Sequence, residues 1–151
     1  MIPQIDLTRQ HALLKDELMA AVERVLVSGR FILGPEGRAL ETEVAALCGV
    51  RHGVGVASGS DALRLALTAL GVGPGDEVIT AAFSFVATAS PILHVGATPV
   101  FVDIEMDTFA LDPEEVSKAV TPRTRAIIPV HLFGHPAPMS AIMEIARRRH
   151  L

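Results

Sequence analysis

Residues 53–80 carry the pattern that decides the fold, GVGVASGSDALRLALTALGVGPGDEVIT. The short apolar segment 54–57 predicts a strand, and the Ala/Leu-rich segment 61–70, closed by Gly71, predicts a helix. After the turn sequence GPGD, residues 77–80 predict a second strand. Because a helix of this length can carry the chain back to the same end of a sheet, we expect the two strands to be parallel.

The same alternation of strands and helices continues along the sequence. Its further predicted elements are helices at 84–95, 113–120 and 139–149 and strands at 98–102 and 126–130. Before it, apolar residues at helical spacing predict helices at 8–27 and 38–48, separated by the loop SGRFILGPEG at 28–37. The pattern as a whole predicts an α/β fold around a parallel sheet.

Composition and charge narrow the classes of function. Half of the 151 residues are hydrophobic, as strands buried on both faces require, and the net charge of −4 argues against a nucleic-acid partner. The single cysteine, Cys48, excludes a disulfide framework and a cysteine zinc site and favours a reducing cytoplasm. The first residues, MIPQIDLTRQ, lack a signal-peptide pattern, and no apolar run approaches the ~20 residues that span a membrane. A cytoplasmic protein without a membrane partner is expected.

The segment Ser58-Gly59-Ser60-Asp61 has two interpretations. As a capping box, the Ser58 hydroxyl accepts a backbone N–H of the helix and the Asp61 carboxylate accepts one in return. As an anion site, Gly59 lets a ligand approach the backbone, the free N–H groups of the helix bind an oxyanion, and the Ser60 hydroxyl adds a donor. The spacing matches neither a Walker A loop nor the dinucleotide fingerprint, so a phosphate bound here belongs to neither ATP nor NAD.

Three segments taken together resemble one family. They are FILGPEGRALETEVAALCGVRHGVGVASGSDALRLAL (31–67), GVGPGDEVITAAFSFVATASPILHVGATPVFVDI (71–104) and TPRTRAIIPVHLFGHP (121–136). In content, order and spacing they resemble the DegT/DnrJ/EryC1/StrS sugar aminotransferases, which are pyridoxal-phosphate enzymes of the aspartate aminotransferase fold. The resemblance extends from Phe31 onward. It implies a three-layer α/β sandwich with a mainly parallel sheet, of which this sequence is a partial large domain.

The resemblance assigns the anion site to the phosphate of pyridoxal 5'-phosphate (PLP). It places Gly59 and Ser60 on that phosphate and Phe85, in the motif AAFSFVAT, against the face of the pyridine ring. Such stacking contributes about 1 kcal/mol beyond the buried area. The alternative for Phe85 is packing in the core on one face of the helix predicted at 84–95.

Domain organisation and assembly also follow from the resemblance. Residues 1–37 are expected to form an N-terminal helix and a loop that approaches the partner subunit of a homodimer. Residues 38–151 are expected to form an incomplete PLP-binding large domain, with its C-terminal part and the small domain absent.

Catalytic residues are not expected in this sequence. Aminotransfer needs a lysine that binds the cofactor covalently and an aspartate on the ring nitrogen, and the resemblance places both downstream of these residues. Lys15 and Lys118 lie in predicted helices at other positions and are expected to be solvent-exposed charges. No metal site is expected either, because glycine and proline on either side of His135 prevent a helix that would bring it beside His131.

The activity implied by the resemblance is transfer of an amino group, with glutamate as donor, to a keto sugar attached to a nucleotide. It serves the biosynthesis of amino sugars, polysaccharides or antibiotic sugars. The chain alone is expected to be inactive. Two alternatives remain open: a PLP-dependent sugar dehydratase of the same family, with histidine in place of the lysine, and a non-catalytic α/β binding module in which Gly59 and Ser60 only begin a helix.

Overall fold

The computed structural model describes residue 3 and residues 5–151, which form two compact units, Met1–Gly55 and Val56–Leu151. Residues 1, 2 and 4 lie outside the described residues. They are part of the predicted N-terminal segment 1–37 and of the stretch MIPQIDLTRQ, for which no signal peptide was predicted. The first unit contains the helices α1 (Thr8–Ser28) and α2 (Pro35–Leu47). The second contains α3 (Gly59–Ala69), β1 (Glu77–Ala81), α4 (Ser90–His94), β2 (Thr98–Val102), α5 (Pro113–Ala119), β3 (Thr124–Ile128) and α6 (Met139–Arg149).

The sheet of the second unit has the strand order β2-β1-β3, and β1 pairs in parallel with both neighbours. Glu77 pairs with Thr98 of β2 and with Thr124 of β3, and the register against β3 shifts once, between Glu77 and Val78. All five residues of β1 are buried, as its central place in the sheet requires. The parallel sheet predicted from the alternation of elements is confirmed.

Successive residues of β1 face opposite sides of the sheet and belong to two separate apolar cores. On one side, Ile79 packs with residues of α5 and α6, among them Val116 and Ile142. On the other side, Val78 packs with Leu67 of α3 and Ile92 of α4. Helices therefore cover both faces of the sheet, and the second unit is the predicted three-layer α/β sandwich.

The strand predicted at 54–57 is wrong. This segment has no regular secondary structure, and no strand among the described residues pairs with it. The Gly55 N–H donates instead to the Glu41 carboxylate of α2, at 2.7 Å. The backbone at Gly53 also lies close to α2, since a Cβ atom at that position would stand 2.5 Å from the Glu41 carbonyl oxygen. A strand needs a partner strand, which the local apolar pattern does not specify.

The helix predicted at 84–95 is interrupted. The structure has a short 3-10 turn at Val86–Thr88, and a new helix, α4, begins at Ser90 with Pro91 in its first turn. A proline inside a continuous helix lacks the N–H for the ladder and clashes with the preceding turn, whereas in the first turn it is accommodated. The helix therefore restarts at the proline.

The first unit consists mainly of two helices. Helix α1 is confirmed to within one residue of the prediction, and α2 begins three residues before the predicted start because Pro35 occupies its first turn. Helix α1 has no buried residue, and several of its apolar side chains are exposed, among them Leu13, Leu18, Val22 and Leu26. None of the helices in the described part of the chain has the length and apolar character needed to cross a membrane.

Candidate functional site

The start of α3 is organised by Ser58, which precedes the helix in an extended conformation (φ −161°, ψ 165°). Its hydroxyl accepts the Asp61 N–H at 3.1 Å. This is half of the predicted capping box. The Asp61 carboxylate does not return a bond to the Ser58 backbone but accepts the Arg64 guanidinium at 3.0 Å. The side chain that caps the helix is therefore Ser58 alone.

The N–H groups of Gly59 and Ser60 follow directly after this cap. Across the described residues, neither of them donates to a protein acceptor. Both residues are exposed, and a Cβ atom built on Gly59 would meet no heavy atom within 4 Å. Two exposed backbone donors at the positive end of the helix dipole are thus left without an acceptor among the described residues, and such donors can bind an anionic oxygen group.

The charge next to these donors is balanced locally. Asp61 lies in the first turn of α3, and its negative charge would repel an anion bound at the helix start. Arg64, one turn further along, forms an ion pair with it, and both side chains are partly exposed. Because this ion pair offsets the carboxylate charge, the open N–H groups retain their attraction for an anion.

Phe85 lies beyond the carboxyl end of β1, and its side chain is 75% exposed. The alternative of core packing is therefore not what the structure has. With the predicted helix interrupted, Phe85 precedes the 3-10 turn instead of lying on a helix face. That turn contacts α3, so the segment carrying Phe85 and the helix that begins with Gly59 and Ser60 are neighbours in the second unit.

Two hydroxyl groups on either side of Phe85 were missed by the sequence interpretation. The side-chain oxygens of Ser84 and Thr88 share a hydrogen bond of 2.7 Å. Thr88 is buried and Ser84 is half-buried. The only signal in the sequence is the pair of hydroxyl residues four positions apart around an aromatic residue, in SFVAT.

The lysines and histidines considered in the sequence have no catalytic or metal-binding arrangement among the described residues. Lys118 forms an ion pair with Glu115 at 2.7 Å, and this hydrogen bond raises the pKa of the Lys118 ammonium above its ordinary value. Lys15 is exposed on α1. The Nδ1 atom of His131 accepts the Ala137 N–H at 3.0 Å, and the described residues contain no group of three or more potential metal ligands. These side chains have structural or solvent-exposed positions.

Comparison with known proteins gives close matches over nearly the whole chain. A UDP-N-acetyl-3-dehydro-alpha-D-glucosamine 3-aminotransferase of Acidithiobacillus ferrooxidans is 55% identical over 150 residues, which are 99% of this chain and 41% of that protein. The crystal structure of S. venezuelae DesV in complex with a ketimine intermediate superimposes with a TM-score of 0.96 at 51% identity. It covers 99% of this chain, which corresponds to 40% of DesV.

A third protein matches in its cofactor-bound form. The structure of NtdA from Bacillus subtilis with bound cofactor PMP has a TM-score of 0.87 and 39% identity, over 90% of this chain and 31% of NtdA. The chain thus spans between 31% and 41% of the length of these three proteins. The model of the DegT/DnrJ/EryC1/StrS aminotransferase family matches residues 12–151, and the chain belongs to this PLP-dependent family.

Proposed function

We propose that this chain is the N-terminal part of a PLP-dependent aminotransferase that acts on keto sugars linked to a nucleotide. One observation carries the proposal: in a member of an aminotransferase family, α3 begins with two N–H groups left open by the described residues. The relative from A. ferrooxidans is named for a UDP-linked 3-dehydro amino sugar, which supports the substrate class. The amino donor that we propose is glutamate.

In this proposal the chain binds and orients the cofactor. The N–H groups of Gly59 and Ser60 and the Ser60 hydroxyl donate to the phosphate, and the open space at Gly59 leaves room for its oxygens. The exposed ring of Phe85 covers one face of the pyridine and excludes water from it. When bound, PLP supplies an electron-poor ring that takes up an amino group from one substrate and passes it to another.

The proposal gives no residue of this chain a part in proton transfer. Lys118 is held protonated in its ion pair with Glu115, and Lys15 is exposed on α1. The lysine and aspartate that complete the reaction belong, in this proposal, to the rest of the parent protein. The isolated chain is expected to bind PLP without transferring an amino group.

We also propose that the parent protein is a cytoplasmic homodimer. Residues 1–37 would form its N-terminal helix and interface loop, and residues 38–151 the first part of the PLP-binding domain. Support comes from the loop before α2, where Phe31, Ile32 and Leu33 are 66%, 86% and 88% exposed. Three consecutive apolar side chains at the surface are typical of a segment that contacts another subunit.

Equilibrium dialysis of the full 151-residue chain against PLP tests the cofactor site. We expect saturable binding that is about tenfold weaker in Ser60→Ala, because a hydrogen bond to a charged group is lost. A comparable loss is expected in Phe85→Ala. The matched controls are Ser117→Ala, an exposed serine of α5, and Phe101→Ala, a half-exposed aromatic of β2.

Equal affinity in the site variants and the controls, or no binding by the unmodified chain, would overturn the proposal and leave the non-catalytic binding module. Amino transfer from glutamate by the isolated chain would contradict the assignment of the catalytic lysine to the rest of the parent protein.

A further inference from the structure

The hydrogen bond between Ser84 and Thr88 closes the segment that carries Phe85. The two hydroxyl oxygens are 2.7 Å apart, and Thr88 is only 8% exposed. Phe85 lies between them in the sequence and is 75% exposed, and it is the residue that the proposed function places on the cofactor. The backbone that carries this exposed aromatic side chain is thus held by a partly buried hydrogen bond between two hydroxyl groups.

Backbone hydrogen bonds complete the anchor. The Ser84 N–H donates to the Ala82 carbonyl at 3.0 Å, and the Thr88 N–H donates to the Phe85 carbonyl at 2.9 Å. The hydroxyl bond between Ser84 and Thr88 closes a loop that contains Phe85, and the Thr88 N–H holds the Phe85 carbonyl inside this loop. The bond between Ser84 and Ala82 orders the backbone just before Phe85, and the other two bonds restrict the Phe85 backbone itself.

The anchor is needed because packing does little to hold the ring. A buried aromatic is fixed by the side chains around it, but an exposed ring is restrained mainly by its backbone. For stacking on a flat cofactor, the ring plane must be set in advance, since ordering a free side chain on binding weakens affinity.

We propose that the Ser84–Thr88 hydroxyl pair positions Phe85 for contact with the cofactor. This inference rests on the proposed function, because it takes Phe85 as the residue that covers the pyridine ring. Ser84 and Thr88 are positioning residues, and neither contacts the cofactor itself. Their effect on binding is transmitted through the direction of the Phe85 side chain.

The chain offers a clean reporter for this test because it contains no Trp and no Tyr. In the variant Phe85→Trp, the indole emission comes from this position alone. Ser84→Ala and Thr88→Val are each added to it, and each removes one hydroxyl of the pair while keeping the shape of the side chain nearly unchanged. Thr68→Val is the matched control, because its hydroxyl donates to the Arg64 carbonyl on the exposed side of α3.

Without PLP, we expect the fluorescence anisotropy of the indole to fall and its quenching by acrylamide to rise in Ser84→Ala and in Thr88→Val, but not in Thr68→Val. In the Phe85 background, the Kd for PLP is expected to rise about fivefold in the same two variants, which corresponds to one neutral hydrogen bond. Urea unfolding establishes that each variant is folded. Ser84→Ala, at the half-buried end of the pair, keeps the test decisive if Thr88→Val is unfolded.

Unchanged anisotropy in both folded variants, or an unchanged Kd for PLP, would overturn the positioning role. Failure of the proposed function has a different signature: the unmodified chain binds no PLP, while the indole still becomes more mobile when either hydroxyl is removed.

Discussion

Gly59 is the first residue of α3, and a Cβ atom built there meets no heavy atom within 4 Å. Alanine is more favourable than glycine in a helix, so Gly59→Ala is expected to leave the urea midpoint unchanged or to raise it. The added methyl group occupies the space proposed for the phosphate, and we expect the Kd for PLP to rise at least about tenfold. Equilibrium dialysis and urea unfolding measure the two effects separately.

The control for this prediction is Gly37→Ala. Gly37 is also a helical glycine with no heavy atom within 4 Å of a built Cβ, and it lies in α2 of the first unit. Gly37→Ala should leave the Kd for PLP unchanged and should have only a small effect on the urea midpoint. An unchanged Kd in Gly59→Ala would mean that no ligand approaches the backbone at this position.

At the scale of the element, two serines at the start of α3 have different roles: Ser58 caps the helix, and Ser60 is proposed to bind the phosphate. The Ser58 hydroxyl accepts the Asp61 N–H, so Ser58→Ala is expected to lower the free energy of unfolding by about 1 kcal/mol. Ser60 is exposed, and Ser60→Ala should change it by less than about 0.5 kcal/mol while weakening PLP binding. Urea unfolding without ligand is the measurement. If Ser60→Ala were as destabilising as Ser58→Ala, the Ser60 hydroxyl would be a structural group instead of a ligand donor.

For some helices and strands, the local sequence pattern was sufficient to predict where the element begins and ends. Helix α6 and strand β2 have the predicted bounds, because their apolar periodicity and flanking residues coincide with the ends of their hydrogen bonding. The segment 54–57 does not form a strand, because strand formation depends on a neighbour that no local pattern specifies. Strand β3 begins two residues before its predicted start, since its pairing with β1 extends to Thr124.

The candidate site was predictable to a similar degree. From the residues alone, the start of α3 had two interpretations, a capping box and an anion site, and the proposal that Gly59 and Ser60 bind the PLP phosphate depends on the family resemblance. Whether Phe85 lies in the core or at the surface depended on the interruption of a helix at Pro91. The contact between Ser84 and Thr88 arises from the 3-10 turn between them, whose geometry the sequence does not specify.

At the scale of the second unit, a buried carboxylate ties the central strand to the segment that precedes β3. Glu77 is 7% exposed and accepts the Thr121 hydroxyl at 2.5 Å and the Arg123 Nε–H at 2.9 Å. These partners lie more than forty positions further along the sequence, so the cluster forms only when the sheet is assembled. Next to it, Asp76 accepts the Gly73 N–H and forms an ion pair with Arg125.

This cluster predicts how stability depends on pH. The hydrogen bond from Thr121, followed by that from Arg123, holds the pKa of Glu77 below its ordinary value of 4.5. The hydrogen bond from Gly73, with a smaller contribution from Arg125, lowers the pKa of Asp76 below 3.8. Because the folded state favours the charged carboxylates, their contribution to stability is present above these ordinary values and is lost as pH falls through the lowered pKa values. Urea midpoints measured from pH 7 down to about pH 3 should therefore decrease, most steeply below about pH 5.

Glu77→Gln separates this contribution from general acid denaturation. Glutamine keeps the size of the side chain but cannot carry the charge that Arg123 stabilises, so the variant should be less stable than the unmodified chain at pH 7. Because glutamine does not titrate, the decrease in its urea midpoint between pH 7 and about pH 3 should be smaller. Glu23→Gln, on the exposed surface of α1, is the control and should follow the pH dependence of the unmodified chain. If Glu77→Gln lost as much stability on acidification as the unmodified chain, other carboxylates would be responsible, and the cluster at the start of β1 would have no measurable role in the acid sensitivity of the second unit.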